Sequence, residues 1–142
     1  MAKKMVPPEL LNNTGVLMME ADRFTEAEKH LKEARSNTEK LLKAQDDDKR
    51  LVALRLNIKF NLACCYESQH KIDLATDIFK QIVHEEPSYT DAYLRLAYLA
   101  RARGSINRSL NYIDTAKKEF KEGYNKPTNL YCMKGAFLQE TG

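Results

Sequence analysis

The 142-residue chain has no tryptophan, only five glycines and four prolines, and three cysteines. So little glycine and proline excludes collagen-like, low-complexity and turn-dense β architectures and leaves a helix-rich globular composition. The cysteines, Cys64, Cys65 and Cys132, form an odd set without C-x-x-C spacing. They suggest neither a disulfide framework nor a zinc site, and are expected to be reduced thiols inside the cell. No apolar run approaches the ~20 residues that cross a bilayer, and no apolar stretch follows Lys3 and Lys4 as a secretion signal requires. Charge of one sign is lacking as well: 23 basic and 20 acidic residues are mixed along the chain for a net +3. Charge therefore gives no reason to expect direct binding of nucleic acid or an anionic membrane.

What is present is repetition. The segments LLNNTGVLMME, KFNLACCYES, YLRLAYLARA and LYCMKGAFLQ each set a small residue, Gly15, Ala63, Ala97 and Gly135, within an apolar helical pattern. Twelve residues beyond the first three markers stand Ala27 (27−15), Ala75 (75−63) and Ser109 (109−97). Four further on come Leu31, Phe79 and Ile113, and three beyond those Ala34, Ile82 and Ala116. Small residues let two antiparallel helices approach, and the bulky residue fills the space beside them. Each unit is thus expected to be a helical hairpin, closed by the short polar turns Asp22-Arg23, Gln69-His70-Lys71 and Arg103-Gly104-Ser105. Gly104 is suited to a left-handed helix end.

From Ala63 to Ala97 the period is 34 (97−63), the tetratricopeptide period, and Pro87 falls where that repeat's second helix stops. From Gly15 to Ala63 the distance is 48 (63−15), an insertion of 14 centred on the acidic run Asp46-Asp47-Asp48. Helical periodicity continues on both sides of that run, and an aspartate there can cap the following helix. The predicted helices are 8–21, 24–44, 49–68, 72–86, 89–103, 106–122 and 127–141. The predicted fold is all-α: a right-handed solenoid of antiparallel helix hairpins, about seven helices in all. The predicted organisation is one domain over 1–142, a fragment of a longer solenoid, with units 8–44, 49–89, 90–123 and an incomplete 127–142.

Catalysis finds no foothold. His30, His70 and His84 lack other ligand types at metal spacing, and Cys64 and Cys65 have no histidine and acid arranged around them. The carboxylates of EAEKHLKEAR are spaced to pair with basic residues along a helix. The stretch with Lys117, Lys118, Lys121 and Lys126 is interleaved by Glu119 and Glu122, as on a solvated face. There is no glycine-rich phosphate loop. The expectations are no enzyme activity, no cofactor, no metal and no small-molecule substrate.

In a stacked array the first helices line the concave wall, so residues two before each marker, Asn13, Asn61, Arg95 and Met133, should face a partner. Asn12, Asn57, Asp91, Tyr98 and Arg101 should share that surface. Amides suit an extended peptide backbone, and arginines suit acidic groups. The asparagines could instead satisfy contacts between helices.

With the repeats placed, VPPELLNNTGVL, FNLACCYE and YTDAYLRLAYLAR resemble the large tetratricopeptide subunits of the RNA polymerase II-associated factor complex, over about residues 6–140. The resemblance includes the position of the long insertion. It implies a nuclear protein-protein scaffold that holds other subunits of an elongation complex, as extended segments, and supports transcription elongation and co-transcriptional histone modification. The alternative is a chaperone-binding tetratricopeptide adaptor. That clamp wants Lys where Asn12 stands and Asn where Val16 stands; Asn61 and Arg95 match it, but Asp91 occupies a place where Lys is wanted.

Overall fold

In the computed structural model, residues 4–123 are described. They form six α-helices and no strand: α1 (Pro8–Glu20), α2 (Phe24–Ala44), α3 (Lys49–Ser68), α4 (Ile72–Glu85), α5 (Thr90–Ala102) and α6 (Ile106–Gly123). The ends agree to within one residue with those read from periodicity. The helix expected over 127–141, with Gly135, Met133 and Cys132, lies outside the described residues.

Local chemistry explains where each helix starts and stops. Pro8 opens α1, where its missing N–H would have no helical partner in any case. Asp48 begins α3 as a side-chain cap, its Oδ1 accepting from the N–H of Arg50 at 2.9 Å and of Leu51 at 3.3 Å. The acidic insertion therefore both breaks the chain's helicity and restarts it. At the end of α4, Glu86 turns extended (φ −136, ψ 91), as the residue before Pro87 must when the ring crowds it out of the helical region.

The turns that follow α1, α3 and α5 each use a left-handed residue: Asp22 (φ 61), His70 (φ 61) and Gly104 (φ 83). Their separations, 48 (70−22) and 34 (104−70), reproduce those of the small markers.

Two compact units divide the chain, one ending at His70 and the other beginning at Lys71. In the first, α1 packs on α2 and α2 on α3; in the second, α4 packs on α5 and α5 on α6. Gly15 shows why the ladder needs a small residue. A Cβ added there would lie 2.7 Å from Leu31 Cγ, 2.8 Å from its Cδ2 and 3.5 Å from the carbonyl oxygen of Ala27. Residues 15, 27 and 31 are thus one contact between α1 and α2. Ala27, Leu31, Ala34, Ala63, Ala75, Phe79 and Ile82 are wholly removed from solvent, and Ala97 and Ala116 are buried. Ser109 and Ile113 are half-buried. Each bulky side chain so buried contributes about 1.5–3 kcal/mol.

The thiols depart from expectation. Cys65 is a buried thiol, but Cys64 is disulfide-bonded.

Candidate functional site

Helices α1 and α3 carry the candidates of the first unit, and their asparagines do different things. Asn12 and Asn61 are 4% and 2% exposed. The Asn61 Nδ2 donates to Asn12 Oδ1 at 3.0 Å, tying the two helices together across 49 residues of sequence. A buried amide left alone costs about 1–3 kcal/mol, so this pair is a mutual requirement of the packing. Asn13, next along α1, is exposed, and Asn57 is half-buried.

Helix α5 carries the candidates of the second unit in a graded row. Asp91 and Arg95 are 1% and 4% exposed, Tyr98 is half-buried and Arg101 is exposed. Spacings of four, three and three put them on one helical face. The Arg95 guanidinium lies over the Tyr98 ring, 5.0 Å from its centroid. Burial pushes the Asp91 carboxyl up to about 6. It pushes Arg95 down to about 10, partly offset by Tyr98, so both remain largely charged at neutral pH. One Asp91 oxygen, Oδ2, is buried with no hydrogen-bond partner.

The structure thus removes four of the eight candidates, Asn12, Asn61, Asp91 and Arg95, from solvent, and leaves Asn13, Asn57, Tyr98 and Arg101 wholly or partly accessible. The chain's two arrays lie in separate compact units.

Sequence reasoning missed a polar seam between α2 and α3. Lys32 Nζ sits 2.8 Å from Glu28 and 5.8 Å from the Tyr66 ring centroid. Its ammonium is held above the ordinary lysine range by the Glu28 hydrogen bond first and Tyr66 second. Gln69 Nε2 donates to Glu28 at 2.9 Å, and the Cys65 thiol to the carbonyl of Phe24 at 3.2 Å. These side chains serve the helix interface. Missed too were large apolar residues off the ladder face. Leu10 and Leu17, 57% and 65% exposed, flank Asn13 on α1, while Ile106, Leu110 and Phe120 are exposed on α6. Their spacing of seven and fourteen residues, away from the ladder, was a readable signal.

His30 is half-buried, and His70, His84, Lys117 and Lys118 are exposed. Among the described residues no three His, Cys, Asp or Glu side chains gather as a metal site, and no helix is long and apolar enough to cross a membrane. The arrangement offers hydrogen bonds, buried charge and apolar contact surface.

No protein-family model matches the chain. It is 36% identical over 110 residues to the RNA polymerase-associated protein CTR9 of Caenorhabditis elegans, covering 72% of this chain and 10% of that protein. It is 30% identical over 140 residues to the Protein CTR9 homolog of Arabidopsis thaliana, covering 80% of this chain and 13% of that protein. A solved structure, the crystal structure of MamA, aligns with a TM-score of 0.46 at 18% identity, covering 81% of this chain and 79% of that one. The chain thus spans about a tenth of the length of the curated relatives it matches. Over most of its own length it is homologous to a segment of the CTR9 proteins.

Proposed function

We propose that this chain is a protein-interaction segment of a nuclear scaffold. It holds extended parts of other subunits in an RNA polymerase II-associated complex that acts in transcription elongation and co-transcriptional histone modification. It carries no chemistry of its own. Its hairpins form one domain of about three and a half repeats, each unit adding similar surface, so a partner is held by many small contacts.

The observation that carries this reading is the outer face of α1. Asn13 is exposed there between Leu10 and Leu17, two leucines more than half exposed. An amide set between exposed large apolar side chains has the make-up of a protein contact patch. Homology to polymerase-associated proteins supports the assignment to such a complex. The chaperone-adaptor reading is disfavoured by Asp91, a carboxylate where a clamp for a partner's carboxyl terminus needs positive charge.

The test is Leu10→Glu with Leu17→Glu in the full-length protein. Both residues are exposed, so melting should shift by less than about 1 kcal/mol. Recovery of the partner subunits from nuclear extract should fall at least severalfold. Unchanged recovery would remove α1 as a contact surface.

A further inference from the structure

We propose that the outer face of α1 seats a basic amphipathic α-helix of a partner subunit, laid over Leu10 and Leu17 as α2 is laid over α3. This rests on the scaffold reading and names the partner's chemistry at that surface: the long segment held there is helical where it crosses α1. The face is open, with Leu10 57% and Leu17 65% exposed. The repeat shows what belongs on it. Leu10 stands five residues before the marker Gly15 (15−10) and Leu17 two after it (17−15). The same two places in α3 are Ile58 (63−5) and Cys65 (63+2), and both are 0% exposed. What covers them is a helix: Ile58 clusters with Ala34 of α2, and the Cys65 thiol donates to the Phe24 carbonyl at the start of α2. In α5 the places are Ala92 (97−5) and Leu99 (97+2), buried too, in the unit where α4 packs on α5.

Charge selects which helix. Glu9 and Glu20 lie exposed along one edge of that face, in a row with Asn13, because spacings of four and seven return to the same side of a helix. Helix α1 carries no basic residue. The ion pairs Arg23–Glu26, Lys32–Glu28 and Arg55–Glu39 engage other carboxylates, and among the described residues Glu9 and Glu20 meet no cation. The equivalent places hold Asn57 and Ser68 in α3, and Asp91 and Ala102 in α5, so of these three helices only α1 presents two exposed carboxylates there. A helix with Lys or Arg beside its apolar stripe would meet both leucines and both glutamates at once. The leucines are two turns apart, about 10.5 Å, the interval at which a second helix repeats its own i and i+7 side chains. Side chains on one side of an extended chain recur at about 6.8 Å and fall out of step.

The experiment uses the full-length protein, freed of partners, and peptides of about 25 residues tiling the subunits that co-purify with it, long enough for a helix to cross both leucines. The best binder should gain helical circular dichroism on binding, and Leu10→Glu with Leu17→Glu should weaken it by roughly tenfold or more. Glu9→Lys with Glu20→Lys, at exposed positions, should weaken it roughly three- to tenfold at low salt and less at high salt. Changing the peptide's facing Lys or Arg to Glu should restore part of that loss. Peptides that lose affinity in the leucine variant but gain no helix, or ignore the charge reversal, overturn the basic helix and leave the scaffold reading standing. In the partner-free protein Leu17→Cys should be alkylated as fast as a surface thiol, read by peptide mapping. Protection there means that the protein's own chain covers α1 and overturns the partner helix. Failure of every peptide to bind the wild type overturns the contact surface on α1 and the inference with it.

Discussion

The two units differ in how some of their most deeply buried polar side chains are met. In the first, Asn61 donates to Asn12, Asn37 to the carbonyl of Val6 at 2.9 Å and Thr38 to that of Ala34 at 2.8 Å, so buried polar side chains are used as ties. In the second, Asp91 is buried as deeply with an oxygen that meets no donor. The same repeat geometry can thus be closed by its own side chains or left with a polar group unmet. The first use raises stability; the second stores a cost.

The largest effect should come from the ladder of the first unit, whose packing is independent of any partner. Leu31→Ala should cost about 2–5 kcal/mol, as a fully buried leucine leaves a cavity. Gly15→Ala alone should also destabilise, because its Cβ would sit under 3 Å from Leu31. Combined with Leu31→Ala it should instead become neutral or stabilising, since the space is open and alanine favours a helix by about 1 kcal/mol. Chemical denaturation of the four proteins in this cycle measures the coupling, and strict additivity would show that α1 and α2 do not meet there.

The second unit should reveal itself by pH. Asp91 has an ordinary value of 3.8 and is pushed up to about 6 by burial, so the folded state binds its proton more tightly than the unfolded one. The resulting stabilisation is fully present below about 4 and is lost as pH rises through about 6, a swing on the order of 3 kcal/mol. Denaturation midpoints at a series of pH values should show this gain on acidification, and Asp91→Asn should abolish it. An identical profile in the variant would mean that the carboxyl is compensated in solution.

Breaking the tie of the first unit should have a smaller effect of the opposite kind. Asn61→Ala strands the Asn12 amide and should cost about 1–3 kcal/mol, whereas Asn12→Leu with Asn61→Leu should recover part of that by burying apolar groups in place of the pair. Asp91→Leu, in contrast, should stabilise. If both single changes shift the melting temperature in the same direction, the contrast between the units fails.

Much of this was legible in the sequence, for a physical reason. The ladder at spacings of 12, 4 and 3 is a record of which side chains must be small or bulky for helices to pack. It placed six helices to within a residue, and Pro87 and Asp48 marked their ends. The candidate wall was less legible. Periodicity gives the face on which Asn12 and Asn61 lie, but not that one amide meets the other across 49 residues. Nor does it give whether Arg95 will turn toward Asp91 or Tyr98. Such choices depend on rotamers and on how deeply each face is covered, which residue spacing alone does not record. The disulfide at Cys64 is of the same kind.

The smallest effects should come from the hairpin turns, which were half legible. Gly104 announced its left-handed conformation, but Asp22 and His70 occupy equivalent places with φ 61, and counting back 34 residues from the glycine to His70 and 48 more to Asp22 would have found them. A side chain in this region costs about 1–2 kcal/mol, less for aspartate, which tolerates it. Nothing lies within 4 Å of a Cβ built on Gly104, so Gly104→Ala should lose about 1 kcal/mol through backbone conformation alone. Asp22→Gly and His70→Gly run the other way. Relief of strain in the fold competes with the greater entropy glycine gives the unfolded chain, worth about 0.4–1 kcal/mol. His70→Gly should therefore gain up to about 1 kcal/mol and Asp22→Gly less, ranking the three turns by the strain each residue bears. Thermal melts of the three variants give that order directly. A loss of stability in His70→Gly would show that the imidazole makes a contact there that outweighs its backbone strain.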